Sequence, residues 1–439
     1  MNAFFARRWL AVMIVLAIIP LTSCSQKDNA KDPNTVLVWH WMTDREEALE
    51  HLAADYQKAK GVHIQLELYA PSDAYATKVR AAAQTNTLPD IFSVLGESRD
   101  LASFINSGHI ANLASAMEAN KGAWKKQFFP KALATTAFSA GNQYKVTPGY
   151  YGVPIDVTNI QMLYNKDLFK KAGLNPEKPP KTWNEFLKDN QALKAAGLPG
   201  LVSGWGETWL IDCFANNYAF NLMGEQKVLD TFRGKVPYTD PDWLAVLGLF
   251  EQLRKEDALV SGVVTMVNKT AEQIFATGKA AFALNGSWCV NVYHGMNPDL
   301  NYGVMLPPAF SKKYPIKIWG GAGSSFMVNA QSSKLNKAID FLQWLSAPEQ
   351  QAYLSKETAN LPANRQSLKE VPAVLAEFAS QMDSTTHPTQ WPVHEAPKVV
   401  EALDKGIQSI LIGEKTPLQV ADDVEAMKKS LAQNTSPQP

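Results

Sequence analysis

The hydrophobic pattern of the first hundred residues predicts an α/β fold built on a mostly parallel sheet. Short apolar runs at 36–39 and 91–95 are typical of buried strands, and residues 62–68 alternate apolar and polar side chains at strand periodicity. Between these strands, residues 46–58 and 74–85 carry apolar side chains at helical spacing. Strands that alternate with helices are typical of parallel sheets, which bind ligands at the carboxyl ends of their strands.

Length and composition are those of an ordinary globular protein. The chain has 439 residues, 46% of them hydrophobic, which excludes a disordered, collagen-like or disulfide-stapled chain. This length is enough for two or three domains, each with its own core. The 42 basic and 42 acidic side chains cancel, so no charge pattern favours a nucleic acid as partner.

The N-terminus has the pattern of an export signal. Arg7 and Arg8 precede an apolar run of 13 residues from Trp9 to Leu21. As a helix this run is about 20 Å long, too short to cross a hydrocarbon core of roughly 30 Å. Residues 1–23 are therefore predicted to be a signal peptide.

The end of this segment, Leu21-Thr22-Ser23-Cys24, resembles the lipobox of bacterial lipoproteins. The resemblance implies that Cys24 is lipidated and becomes the first residue of the mature chain. The polar residues 24–34 would then tether the folded body to a membrane. The alternative is an ordinary signal peptide with an incidental cysteine.

Local signals predict further elements along the chain. Residues 182–185 (TWNE) and 346–349 (SAPE) each have the pattern of a capping box at a helix start. Residues 336–345 have apolar side chains at helical spacing, which predicts a core-facing helix. The glycine-rich residues 320–325 lack the lysine of a phosphate loop and are interpreted as a strand-entry loop where the backbone passes close to a neighbour.

The sequence contains no familiar catalytic or metal-binding motif. Walker, Rossmann, His-Glu-x-x-His and Gly-x-Ser-x-Gly patterns do not occur, and no Cys or His has zinc-ligand spacing. We therefore expect no catalytic residues, no cofactor and no metal. Besides Cys24 only Cys213 and Cys289 are present; they could form one disulfide in an exported protein or remain two small thiols.

Tryptophan is the most informative residue type. The chain has 12, and several lie beside glycine, asparagine or serine in segments interpreted as loops. Flat aromatic faces suit the C–H faces of sugars, while carboxylates and amides bind the hydroxyl groups. For each tryptophan the alternative is a core position. The candidates are Trp39, Trp41, Trp205, Trp209, Trp288, Trp319 and Trp391.

Several segments together resemble the extracellular solute-binding proteins of bacterial ABC sugar importers, the maltose-binding-protein-like family. They cover nearly the whole predicted mature chain and occur in the family's order. The matching segments are 88–92 (LPDIF), 151–154 (YGVP), 163–169 (LYNKDLF), 172–174 (AGL), 179–186 (PPKTWNEF), 278–282 (GKAAF), 285–288 (NGSW), 320–329 and 338–350.

The resemblance implies a two-lobe periplasmic-binding-protein-like fold with the ligand in a cleft between the lobes. Lobe one would comprise residues 35–156 and 320–365, and lobe two residues 157–319 and 366–436. Hinges would lie near Asp156, residues 307–319 and residues 361–365. Tyr164 and Asn165 of the central motif are interpreted as structural, ending a buried strand.

The resemblance also implies which residues contact the ligand. Trp209 and Trp288 match aromatic positions that stack on sugar, and they are the foremost candidates. His40 is expected to face the cleft beside the other residues that follow the first strand, and Asp44 could instead cap the next helix. The full set is Trp41, Thr43, Asp44, Glu97, Ser98, Asp156, Thr158, Trp205, Glu207, Trp209, Trp288, Trp319, Gly320 and Trp391. The cleft residues differ from those of maltose-binding protein, so ligand identity does not transfer.

Taken together, these patterns predict a monomeric, lipid-anchored protein that captures a carbohydrate and delivers it to the membrane permease of an ABC transporter. Two alternatives remain open at this point. One is a protein of the same fold that binds a non-sugar solute, such as a polyamine, a phosphodiester or a metal chelate. The other is an exported polysaccharide hydrolase or lyase.

Overall fold

The structure is a computed structural model that describes residues 32–70, 72–95, 98–386 and 395–435. The predicted signal peptide, Cys24 and most of the tether lie outside these residues, as do Glu97 and Trp391. No helix in the described part of the chain is both long and apolar enough to cross a membrane.

Strands are distributed from the start of the described chain to residue 386. They are β1 (Thr35–His40), β2 (His63–Leu68), β3 (Ile91–Phe92), β4 (Ala137–Phe138), β5 (Gly149–Tyr150), β6 (Val153–Pro154), β7 (Asp156–Asn165), β8 (Leu201–Val202), β9 (Phe282–Gly286), β10 (Tyr302–Met305), β11 (Ile318–Ala322), β12 (Ser325–Val328), β13 (Leu361–Pro362) and β14 (Thr385–Thr386).

Helices surround the sheets and form the C-terminal end of the described chain. They are α1 (Glu46–Lys60), α2 (Ser72–Thr85), α3 (Ser98–Asn106), α4 (Ala114–Gly122), α5 (Pro130–Ala134), α6 (Lys166–Lys171), α7 (Trp183–Ala195), α8 (Trp209–Phe232), α9 (Pro241–Lys255), α10 (Asn268–Ala276), α11 (Cys289–Met296), α12 (Leu335–Leu345), α13 (Pro348–Thr358), α14 (Ala373–Ser380), α15 (Pro397–Ile412) and α16 (Pro417–Thr435).

Two mixed sheets organise the molecule. The first has the strand order β2-β1-β3-β12-β6, with β1 parallel to β2 and β3 and with β12 antiparallel to both of its neighbours. The second has the order β14-β11-β7-β9-β8, with β10 and β13 also paired to β7. The predicted strands and helices of residues 35–92 are present, and β1, β2 and β3 pair in parallel as predicted. Each complete sheet is nevertheless mixed, because strands from later in the chain add antiparallel pairs. The long strand β7 pairs antiparallel with β9, β10, β11 and β13, and local periodicity carries no information on strand direction.

Within the described residues the chain passes between the two sheets three times, and two of these crossings, from β6 to β7 and from β11 to β12, are adjacent. The Ile155 amide donates to the Ser324 carbonyl oxygen at 2.8 Å. The buried carboxylate of Asp156 accepts from the Ser324 amide and forms an ion pair with Arg45. Arg45 also donates to the Ser324 hydroxyl at 3.0 Å. These contacts fasten both crossings to the start of α1, while the lobe boundaries given above remain a prediction.

One of the two predicted capping boxes is present. The Thr182 hydroxyl accepts from the Glu185 amide at 3.3 Å, and the Glu185 carboxylate accepts from the Thr182 amide at 2.9 Å. The box predicted at Ser346 is wrong, because Ser346 ends α12 and α13 begins two residues later at Pro348. The Ser346 hydroxyl instead donates to the Leu342 carbonyl and accepts from the Trp124 indole at 2.8 Å.

The glycine-rich segment is only partly a loop. Gly320 and its neighbour belong to β11, so the connection to β12 consists of residues 323–324. The predicted close approach is nevertheless present at Gly320, where a Cβ atom would lie 2.5 Å from Thr385 Cγ2 and 2.7 Å from Asn159 Cβ. A side chain there would push β11 away from β7.

The two described cysteines are free thiols. Cys213 lies in α8 and Cys289 opens α11, and both are buried. Burial raises the pKa of both thiols well above its usual range, so each is a neutral core residue.

Candidate functional site

Two tryptophan rings meet beside the second sheet. Trp209 begins α8 with 41% of its surface exposed, and Trp288 lies between β9 and α11. Their ring centroids are 6.0 Å apart and their planes are inclined by 46°. Gly286 permits this arrangement, because a Cβ atom there would lie 2.0 Å from the Trp288 ring. The Asn-Gly-Ser-Trp motif thus folds the indole back over its own strand.

A carboxylate holds the indole of Trp209. The Trp209 Nε1–H donates to Glu207 Oε2 at 3.4 Å. The other oxygen of Glu207 accepts from the backbone amide of Asn268 at 2.7 Å, at the start of α10. Glu207 therefore ties the beginning of α8 to α10 and restricts the rotation of the exposed ring.

A second carboxylate holds Trp288. Glu272 is buried and accepts from the Asn268 amide side chain at 2.9 Å, from the Asn285 amide side chain at 3.0 Å and from the Trp288 side chain. Burial raises the pKa of Glu272, and these hydrogen bonds act in the opposite direction. Sequence reasoning did not identify Glu272, which lies on the helix before the Asn-Gly-Ser-Trp motif.

A pocket of about 410 Å³ lies between α8, α15 and β11 and is lined by both Trp209 and Trp319. We call it the α8–α15 pocket. Its volume lies within the range of roughly 300–1,000 Å³ that is usual for small-molecule sites. Residues that line it include Thr208, Trp209, Asp212, Trp319, Pro397 and Asp404.

Two acidic side chains lie in this pocket. Asp212 is 5% exposed and Asp404 is 3% exposed, and one Asp404 oxygen, Oδ1, has no hydrogen-bond partner. The pKa of Asp404 is raised far above its usual range, mainly by burial and to a smaller extent by the charge of the nearby Asp212. A hydrogen bond with the Thr208 side chain opposes that rise. Sequence reasoning missed both residues. The available signal was a single carboxylate within an apolar helical run, as in Leu210–Phe214 around Asp212.

Thr158 and Gly320 lie on adjacent strands next to the tryptophan pair. The Thr158 hydroxyl is 3.1 Å from the hydroxyl of Ser287, which directly precedes Trp288. Gly320 pairs with Asn159, one position along β7. Of the predicted contacts, Thr158, Trp319 and Gly320 lie on strands of the second sheet, and Glu207, Trp209 and Trp288 lie in the segments beside it.

A second group lies at the ends of β1 and β3 in the first sheet. The Trp41 ring is 5.2 Å from the Tyr75 ring. Thr43 is exposed in a short 3₁₀ helix, Thr43–Arg45, that also contains Asp44, and Ser98 begins α3 half-buried. These positions follow β1 and β3 along the chain, and their contact with a ligand stays a prediction.

His40 does not belong to this surface. It is fully buried at the end of β1, and neither ring nitrogen has a hydrogen-bond partner. Burial lowers the pKa of His40 from 6.5 to about 4, so the ring is neutral at pH 7. The prediction that His40 faces the cleft is wrong, because the ring is buried in the protein.

Trp205 also belongs to the core. Its side chain is fully buried, with its ring centroid 5.4 Å from that of Phe214 and 5.8 Å from that of Phe250. It therefore does not share the exposed surface of Trp209, although both come from the same short motif. Apolar packing, and not ligand contact, accounts for its position.

Asp156 has a structural environment as well. It is 4% exposed, and its carboxylate is engaged by Arg45 and by the Ser324 amide. The Asp156 carboxylate is thus bound by other groups of the protein, at the crossing between the two sheets. Within the described chain, no group of three or more His, Cys, Asp or Glu side chains is arranged to hold a metal ion.

Comparison with known proteins defines the class. Residues 40–352 match the sequence profile of the bacterial extracellular solute-binding proteins, and the chain belongs to that family. Among curated relatives, the sn-glycerol-3-phosphate-binding periplasmic protein UgpB of Yersinia enterocolitica is 26% identical over 290 residues, which are 61% of this chain and 64% of the relative. The chain thus spans under two thirds of the length of the curated relatives it matches.

Solved structures confirm the two-lobe fold. A chitin oligosaccharide binding protein superposes with a TM-score of 0.72 at 22% identity, covering 91% of this chain and 100% of the other. The cyclic alpha-maltosyl-1,6-maltose binding protein from Arthrobacter globiformis has a TM-score of 0.69 at 23% identity, with 91% and 99% covered. The predicted periplasmic-binding-protein-like fold is confirmed by these matches.

Proposed function

We propose that this protein captures a sugar or oligosaccharide between its two lobes and delivers it to the permease of an ABC importer. The observation that carries the proposal is the Trp209–Trp288 pair. Each indole is held by a carboxylate, Glu207 or Glu272, and Trp209 keeps much of its ring exposed. An aromatic face beside fixed hydrogen-bonding groups matches the two surfaces of a pyranose ring.

Ligand-dependent closure would follow from contacts on both lobes. Trp209, Trp288 and Trp319 would bind the sugar from one side, and Trp41 and Ser98 from the other. A ligand shifts the open–closed equilibrium only by its difference in affinity for the two states, so a sugar that bridges both groups favours closure. The permease would then recognise the closed form. Glu97, Trp391 and Asp44 remain predicted contacts.

The predicted attachment belongs to the same proposal. Lipidation of Cys24 would hold a monomeric binding protein at the outer face of the cell membrane, within reach of the permease. The tether of residues 24–34 would leave the two lobes free to open and close. No cofactor, metal or catalytic step is required for this role.

Glycerol 3-phosphate is a second candidate, because the curated relatives named above bind it. The charges near the tryptophan pair disfavour a phosphate at this position. Glu207 binds the indole of Trp209, and Asp212 and Glu401 line the adjoining pocket, where none of the described lining residues is basic. A dianion placed among carboxyl groups is repelled, whereas hydroxyl groups can donate to them.

The test is a calorimetric and thermal-shift titration of the purified protein against neutral, amino and acidic sugars and glycerol 3-phosphate. A ligand at a hundredfold excess over its Kd stabilises the native state by about 2.7 kcal/mol. The double variant Trp209→Ala, Trp288→Ala should lose sugar binding. Trp344→Ala, which removes a half-buried indole from α12, is the matched control and should bind normally.

Three results would contradict the proposal. Glycerol 3-phosphate alone could raise the melting temperature, which would favour the second candidate. The double variant could bind sugar as tightly as the parent, which would remove the site. Release of reducing ends or unsaturated uronides from polysaccharide would instead show an enzyme.

A further inference from the structure

The α8–α15 pocket has an acidic end and aromatic sides. Asp404 lines the pocket, although only 3% of its surface is exposed. Its Oδ1 atom has no hydrogen-bond partner. Asp212, from the first turn of α8, lies close enough to influence the ionisation of Asp404. Trp209 and Trp319 flank these groups. A buried acceptor without a donor destabilises the native protein unless binding supplies the donor.

We propose that the α8–α15 pocket is a subsite for the primary ammonium group of an amino sugar, with Asp404 and Asp212 as its acceptors. This inference rests on the proposed carbohydrate-binding function and narrows its ligand class. The sugar ring would contact the indoles of Trp209 and Trp319, and its ammonium would point between the two carboxyl groups.

Charge selects a cation over a neutral or anionic group. None of the described residues that line the pocket is basic, and Glu401 at its edge adds a third acidic group that is paired with Lys405 outside. An ammonium near two carboxyl groups and two indole faces is stabilised by ion pairing and by cation–π attraction. The unpartnered Asp404 oxygen needs an N–H donor, which a quaternary ammonium lacks.

Binding should release a proton. Burial and Asp212 hold the Asp404 carboxyl protonated at neutral pH, since together they raise its pKa. When an ammonium arrives, Asp404 loses its proton to solvent, and the net charge of the site is unchanged by the exchange. The carboxylate then accepts an N–H of the ligand. Cys213, the remaining titratable group of the lining, is a buried neutral thiol and takes no part.

The experiment compares three matched ligand series by calorimetry. These are β-1,4-linked oligomers of glucosamine, glucose and N-acetylglucosamine, from two to four units, at a pH where the glucosamine amine is protonated. The glucosamine series should bind at least about tenfold more tightly than the glucose series, the effect of one hydrogen bond to a charged group. Titrations in two buffers of different ionisation enthalpy should show proton release with the glucosamine series alone.

Asp404→Asn supplies the matched variant. It keeps the shape but cannot become an anion, so it should lose the preference for glucosamine and the proton release. Asp189→Asn, a substitution of a partly buried aspartate on α7 outside the pocket, is the control and should keep both. If a variant fails to fold, proton release by the parent protein still tests the proposal, because it requires no variant.

The possible outcomes separately test the ammonium subsite, the role of Asp404 and the proposed carbohydrate binding. Equal binding of the glucose and glucosamine series, or tighter binding of the N-acetylated series, overturns the ammonium subsite and leaves carbohydrate binding standing. Binding of glucosamine without proton release, unaffected by Asp404→Asn, overturns the role of Asp404. No binding by any sugar in the wider panel overturns the proposed function and the subsite together.

Discussion

The indole planes of Trp209 and Trp288 are inclined by 46° with their centroids 6.0 Å apart, so the rings meet at an angle and do not stack face to face. An angled pair leaves a ring face available to a ligand. The two indoles differ in surroundings: Trp209 is 41% exposed, whereas Trp288 is half-buried and packs against two clusters of buried hydrophobic residues. Their substitution should therefore have different consequences.

Trp209→Ala should weaken sugar binding by about 10- to 100-fold, which corresponds to losing roughly 1.5–3 kcal/mol of aromatic contact. Because Trp209 is already exposed, the melting temperature of the free protein should change little. Trp288→Ala should lower both affinity and melting temperature, since it opens a space beside β9. Calorimetry and thermal unfolding of both single variants check this difference; equal losses of stability would contradict it.

Glu272→Ala should destabilise the free protein by about 1–3 kcal/mol. The substitution leaves the side chains of Asn268, Asn285 and Trp288 without their shared acceptor in a buried position. Glu272→Gln, which retains one acceptor oxygen, should have a smaller effect. Chemical denaturation at pH 7 measures both, and a Glu272→Ala protein as stable as the parent would show that the network contributes nothing.

Local patterns predicted the elements that depend on neighbouring residues. The apolar spacing of residues 46–58 predicted α1, and the Thr182–Glu185 pair predicted the start of α7. The Ser346 signal had the same form but failed. Ser346 caps the end of α12 through the Leu342 carbonyl and receives the indole of Trp124, a contact between residues 222 positions apart. A signal of four residues cannot anticipate such a partner.

The candidate site shows more clearly that local sequence patterns cannot predict contacts between distant parts of the chain. Trp205 and Trp209 share one motif, yet one ring packs between Phe214 and Phe250 and the other is exposed. Local chemistry does not separate them, because the burial of Trp205 also requires Phe250, which comes from α9, a helix later in the sequence. Asp404 was missed for a related reason: its proximity to Asp212 arises only when α15 packs on α8.

Asp404→Asn should raise the stability of the free protein at pH 7 but not at pH 3. The pKa of Asp404 is raised in the native state, so above an unfolded value near 3.9 the unfolded chain ionises while the native carboxyl keeps its proton. This difference in protonation lowers the free energy of unfolding as pH rises. The Asn side chain of the variant does not titrate, so the variant lacks this loss of stability. Thermal unfolding of parent and variant from pH 3 to 8 checks the trend; a constant difference across that range would contradict it.

His40 should make the protein acid-sensitive. Its pKa is lowered by burial from 6.5 to about 4, so between these values the unfolded state binds a proton that the native state does not. Stability is therefore lost as pH falls from about 6.5 to 4, by up to roughly 3 kcal/mol. His40→Leu should flatten this part of the profile, while His51→Leu, at an exposed position on α1, should not. Denaturation midpoints at pH 7 and 4.5 provide the comparison.

The Arg45–Asp156 pair should hold two of the chain crossings between the sheets, the one from β6 to β7 and the one from β11 to β12. Arg45→Met leaves a buried carboxylate without its cation, and breaking such a pair typically costs about 3–5 kcal/mol. The double variant Arg45→Met, Asp156→Asn removes both charges and should recover much of that loss, because the new amide can still accept from the Ser324 backbone. A double-mutant cycle by chemical denaturation measures the coupling between the two side chains. Additive losses would mean that the ion pair contributes nothing beyond its separate packing, and the crossings would then depend on the backbone bond between Ile155 and Ser324.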